Sequence, residues 1–160
     1  MIGVLAAVVL AGSPSLSSTD APTLNFVAQL DIAGGARAVP GPFFFSPGLR
    51  AGFRFDPVRF GVVARGLLSS QSGVDVGGFA SVDVLRLLLD SERNVSLFVG
   101  ADVYARFVAA PTLVLLGVVG VRAVGISLSI VGGVELSPAI GNGEVRLGVE
   151  FVELISALSK

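Results

Sequence analysis

Residues 95–107 read Val-Ser-Leu-Phe-Val-Gly-Ala-Asp-Val-Tyr-Ala-Arg-Phe. At period two this stretch separates into two sets: Val95, Leu97, Val99, Ala101, Val103 and Phe107 on one face, and Ser96, Phe98, Gly100, Asp102, Tyr104 and Arg106 on the other. Side chains alternate across a strand, so one side of this segment is apolar and the other carries a carboxylate, a phenol and a guanidinium. Which side faces inward decides the fold.

The same alternation extends in both directions. Leu24, Phe26, Ala28, Leu30 and Ile32 oppose Asn25, Val27, Gln29 and Asp31; Leu49, Ala51, Phe53 and Phe55 oppose Gly48, Arg50, Gly52 and Arg54. Val58, Phe60, Val62, Ala64 and Leu68 oppose Arg59, Gly61, Val63, Arg65 and Ser69; Val74, Val76, Ala80, Val82 and Val84 oppose Asp75, Gly77, Phe79, Ser81 and Asp83. Val124, Ile126, Leu128, Ile130, Val134 and Leu136 oppose Gly125, Ser127, Ser129, Val131, Gly133 and Glu135; Val145, Leu147, Val149 and Phe151 oppose Glu144, Arg146, Gly148 and Glu150. A further strand over Thr112–Val121 is apolar on both faces, which makes eight in all, each about as long as a tilted membrane strand requires.

The segment Leu113–Leu136 is long enough for a membrane helix, but Arg122 and five glycines lie within it. A hairpin folding back at Arg122-Ala123 suits these residues better. Short connections are also expected at Asp56-Pro57 and Asp90–Asn94. The longest connection is expected over Gly34–Pro47.

Charge settles the orientation. The polar faces carry Arg50, Arg54, Arg59, Arg65, Arg106, Arg146 and, marginally, Arg122, against Asp31, Asp75, Asp83, Asp102, Glu135, Glu144 and Glu150. That is seven of each sign, out of 11 basic and 12 acidic residues in the chain. Only Arg86 and Glu153 fall on the apolar parity, near strand ends. A soluble sandwich or lipocalin-like barrel would turn its charges to water and usually carries many lysines, whereas Lys160 is the only one here. Balanced signs and abundant Gly and Ser suit a narrow, charge-paired interior. The expected fold is therefore an all-β, eight-stranded, antiparallel up-and-down transmembrane β-barrel over residues 23–160, with apolar faces toward lipid.

Composition agrees. Charged residues make up 14% of the 160, and mean hydropathy is +0.85, both unlike a soluble domain. A net charge of -1 without a basic stripe predicts no nucleic-acid partner. The absence of Cys and His removes thiolate chemistry, the commonest general base and the usual metal ligands, so neither an enzyme nor a cofactor is expected. Residues 1–22 read as a signal peptide and linker, with Ile2–Leu10 as the apolar core.

With this pattern, the chain resembles the small eight-stranded outer-membrane barrels, the OmpA/OmpX-like group. Arg146, Gly148 and Phe151 are similar to part of the terminal signal read by the barrel-assembly machinery, although Glu153 stands where that signal has a second aromatic. The resemblance implies the bacterial outer membrane, with lipid and the assembly machinery as partners and a monomeric state. Phe43, Phe44 and Phe45, after Pro40-Gly41-Pro42, are candidates for a membrane-interface or loop contact. Eight strands enclose a lumen that side chains fill, so the expected role is structural or interactive. A narrow channel and a soluble lipocalin-like binder are the alternatives.

Overall fold

The computed structural model describes residues 24–37, 43–69, 72–90, 93–108, 111–136 and 139–158. The expected signal segment, 1–22, lies outside the described residues. Eight strands, β1 (Asn25–Arg37), β2 (Phe44–Phe55), β3 (Val58–Leu67), β4 (Gly73–Asp90), β5 (Arg93–Phe107), β6 (Pro111–Ala123), β7 (Ile126–Leu136) and β8 (Ala139–Glu150), close into one barrel in sequence order. Every neighbouring pair is antiparallel, and β8 returns to β1 from Gln29 opposite Glu150 to Arg37 opposite Asn142. One helix, α1 (Phe151–Leu158), follows β8.

The period-two faces sort as the charge argument requires. Leu49, Val62, Val119, Ile130 and Val145 are all more than half exposed on the outer surface, whereas Asp31, Asp75, Asp102 and Arg106 are buried inside. The barrel is therefore the inverse of a soluble one. Burying charge and exposing aliphatic side chains in water would cost free energy twice over; a lipid surround removes the second cost. Phe26, Phe53 and Phe60 meet on the outer surface of β1–β3, with ring centroids 6.2 and 6.3 Å apart, near the end of the barrel that carries the Asp56-Pro57 turn.

Several boundaries differ from the sequence expectation. The Gly34–Pro47 connection is largely strand: β1 runs on to Arg37 and β2 begins at Phe44, paired with Gly35. Gly35 does not break the strand but makes space for Phe44. A Cβ on it would lie 2.7 Å from Phe44 Cζ and 2.8 Å from Glu144 Cβ. Pro47, which has no N–H to give, sits in β2 opposite Ile32. On the β3 side the ladder lapses there. The Ser46 hydroxyl donates to Gly66 O at 2.7 Å, and pairing resumes in the Phe45–Leu68 bridge, with backbone hydrogen bonds of 3.0 and 2.8 Å.

The β6–β7 turn falls at Val124-Gly125 and not at Arg122-Ala123. Both turn residues are left-handed, with φ of 48° and 77°, which matches the twist of a two-residue hairpin. This shift keeps Arg122 inside β6 and turns it into the lumen, 7% exposed. In β4, a register shift between Asp83 and Leu85 reverses the parity, so Val84 and Leu85 are both outside. Arg86 is then the backbone partner of Ser96. Finally, Phe151 does not end β8 but starts α1.

Strand β6 resolves clearly despite its uniform composition. Val114, Leu116 and Val118 turn inward and Leu113, Leu115 and Val119 outward. The inward three join Val63, Phe79, Phe98, Tyr104 and Val131 in the barrel's apolar cluster, a wall against which the charged side chains pack.

Candidate functional site: an ion-paired lumen

The lumen residues project from alternate positions of strands held about 5 Å apart, so short side chains on one strand face long ones on the next. Most of the charges join into one continuous series. Arg106 donates to Glu135 and, through Nε and Nη2, to both oxygens of Asp75 at 2.8 and 2.9 Å. Asp75 also accepts from Arg65 Nε at 2.9 Å, and Arg65 Nη1 reaches both Glu144 oxygens at 2.8 Å. Glu144 accepts from Arg146, whose Nη1 donates to Asp102 Oδ2 at 2.7 Å. Asp102 accepts two bonds from Arg50, at 3.1 and 2.7 Å, and one from the Tyr104 hydroxyl. Arg50 Nε ends the series at Asp31, which also accepts from Gln29 at 2.6 Å.

Acid and base alternate along this series, which is how nine buried charges coexist in so narrow a space. Each inner carboxylate lies between two guanidiniums, and the planar fork of Arg suits such bridging in a way Lys could not. The lumen aromatics serve the same end. The guanidinium of Arg50 lies 4.8 Å from the Phe79 ring centroid, that of Arg65 4.4 Å from Tyr104 and that of Arg122 4.3 Å from Phe98.

Toward the two-residue turns lies a smaller group. Arg59 pairs with Glu150 and stands 3.8 Å from Glu153 of α1, and Arg122 Nη1 donates to Asp83 at 2.8 Å. Two cavities, one of mixed lining and one polar, lie toward this half. One is lined by Arg50, Arg59, Asp102, Arg122 and Arg146 together with the apolar Val27, Phe79, Phe98 and Val118. The second lies by Arg54, Asp83, Ser96 and Glu153 and shares Arg59 and Arg122 with the first. The buried Nε atoms of Arg59 and Arg122 have no protein acceptor, as befits groups beside a space that water can enter. The other half contains Phe44, 6% exposed, and the Arg65–Asp75–Arg106 crossing.

Of the residues expected in the lumen network, Asp31, Arg50, Arg59, Arg65, Asp75, Asp83, Asp102, Arg106, Glu135, Arg146 and Glu150 all line the interior and make ion pairs there. Arg54 is set apart. It stands at the mouth and pairs with the half-exposed Asp56 of the turn at 3.0 Å. The three phenylalanines separate: Phe43 is 85% exposed, Phe45 lies on the outer surface and Phe44 is inside. Parity carried back from Arg50 through Gly48 and Ser46 reaches Phe44, a signal hidden by treating Pro47 as the end of the strand.

Gly148 has a packing reason to be glycine. A Cβ there would lie 2.6 Å from Ser127 Oγ and 2.7 Å from Asp31 Oδ1, within the lumen network. Among the described residues no cluster of three or more Asp or Glu is arranged to hold a metal ion.

Neither models of protein families nor curated proteins gave a match. Among solved structures, the crystal structure of Neisserial surface protein A superposes with a TM-score of 0.57, over 80% of this chain and 97% of the other. The chain is similar in fold to Neisserial surface protein A. Identity is 18%, so the likeness concerns the closed eight-stranded architecture.

Proposed function

We propose that this chain is an integral protein of the bacterial outer membrane, and that it acts as a structural or interaction protein and not as an open channel. The observation that carries the reading is the unbroken series of ion pairs from Glu135 to Asp31, packed against the apolar wall of β6, which occupies the lumen. To open a solute path, several buried ion pairs would have to separate together, and each separation strands charge in a poorly hydrated interior. The apolar outer surface supports lipid as its surroundings, and the likeness to Neisserial surface protein A supports the compartment. Barrel-assembly machinery is the partner that such a fold requires to insert. With no His or Cys, the chain is assigned no enzymatic role.

The narrow-channel reading has one observation in its favour: two neighbouring cavities that share Arg59 and Arg122 in their linings. Planar-bilayer recording separates the two. The scaffold reading expects no regular conductance steps from the refolded protein. Regular steps whose size changes on Arg122→Ala would overturn it. A lipocalin-like binder is disfavoured by the inverted faces, and the purified barrel is expected to aggregate when detergent is withdrawn.

A further inference from the structure

Helix α1 has two unlike sides. Glu153, in its first turn, turns to Arg59 at the barrel mouth, 3.8 Å away, while Phe151, Val152 and Ile155 are 42%, 52% and 66% exposed on the other side. The helix is also firmly placed. Glu150 N donates to Gly125 O, and a Cβ on Gly125 would come within 2.8 Å of Leu154 N, so the β6–β7 turn seats the helix backbone directly. The helix rests on β1 and β8 as well. Pairing between β8 and β1 begins only at Gln29, so the β1 segment Asn25–Ala28 has no β8 partner at the level where α1 lies. The outer surface of that same end carries Phe26 and, just before the strand, Leu24, 55% and 59% exposed, with the Phe26 ring beside those of Phe53 and Phe60.

We infer that α1 is an interfacial membrane helix, with Phe151, Val152 and Ile155 embedded in the headgroup and upper acyl region of the leaflet at the two-residue-turn end. The occupant is lipid because α1 follows β8 directly and rests on β1, whose outer surface at that end carries Phe26, so the exposed apolar side of the helix extends the barrel's own. An amphipathic helix in such a position lies in the membrane plane with its apolar side a few ångströms deep. Lipid on one side and the Arg59–Glu153 pair on the other hold α1 against the mouth of the second cavity. The bilayer thereby becomes part of what closes that end of the lumen. This inference rests on the membrane-barrel reading, and its test keeps the two apart.

The chain has no native cysteine, so single variants Val119→Cys, Val152→Cys and Ile155→Cys can each carry one fluorophore in the refolded barrel in phospholipid vesicles. All three sites are more than half exposed. Quenching by lipids bearing a nitroxide at the headgroup or deep in the acyl chain, and by aqueous iodide, reports depth. The expected result is deep acyl-chain quenching at Val119→Cys. At Val152→Cys and Ile155→Cys, headgroup-level quenching should dominate, with iodide quenching severalfold below that of the free dye. If the helix labels respond to iodide as the free dye does while Val119→Cys is quenched by lipid, the inference is overturned and the barrel reading stands. If Val119→Cys is not quenched by lipid either, the membrane reading fails and the inference with it.

Discussion

Asp102 is the point at which the ion-paired lumen is most exposed to test. The residue is 1% exposed and accepts from Arg50 twice, from Arg146 once and from the Tyr104 hydroxyl. Asp102→Asn keeps the shape, removes the charge and replaces one acceptor oxygen with a donor that faces guanidinium groups. Hydrogen bonds to charged groups contribute roughly 1.5–3 kcal/mol each. Arg50 retains Asp31 and Arg146 retains Glu144, so the four bonds are not lost additively. The net cost expected is therefore about 3–5 kcal/mol, that of leaving buried charge short of its partner. The matched control is Asp56→Asn in the half-exposed Arg54–Asp56 pair, expected to cost below about 1 kcal/mol.

Urea unfolding of the refolded barrel in vesicles measures both. The chain has no Trp, so the folded fraction is best read from heat-modifiable gel mobility and far-ultraviolet circular dichroism. A double-mutant cycle of Asp102→Asn with Arg50→Met should give a coupling on the order of 1–3 kcal/mol, as expected within one shared network. A cost for Asp102→Asn no greater than that of Asp56→Asn, together with an additive cycle, would refute the view that the lumen series holds the barrel together.

Three further outcomes are expected. Val124→Asn should stabilise the barrel by about 1 kcal/mol in the same urea assay, because Val124 holds a left-handed φ that Asn tolerates and a β-branched residue resists; no gain would argue against the assigned turn. Phe44→Ala should cost about 3 kcal/mol as an inward ring, whereas Phe43→Ala, at 85% exposure, should leave the urea midpoint close to that of the parent; equal effects would show that the phenylalanines are not separated by the barrel wall. Arg106→Lys should cost about 2–3 kcal/mol, since Lys cannot bridge both Asp75 oxygens and Glu135 at once; a neutral result would show that charge alone suffices there.

The alternation centred on Val95–Phe107 was sufficient to establish strand, face and inversion, because period two is a property of the backbone and the sign of charge on each face is written residue by residue. Balanced charge likewise showed that the polar side is an interior. Local pattern could not reach the places where a neighbouring strand decides. Pro47 looks like a boundary until Ser46 and the Phe45–Leu68 bridge carry the ladder past it. Arg122 looks like a turn residue until Asp83 and the Phe98 ring supply its lumen partners, and β6 has no readable parity without the strands beside it.

The sequence alone likewise provided the roster of charges but not the pairing. Arg65 lies 10 residues from Asp75, and Arg50 lies 52 from Asp102, and only the closure of β8 onto β1 brings Arg146 and Glu144 into the same series. Composition and period determined that this chain forms a barrel with its charges inside. Which charge meets which was decided by the register of the closed sheet, because ion pairing depends on distances across the barrel that no local pattern encodes.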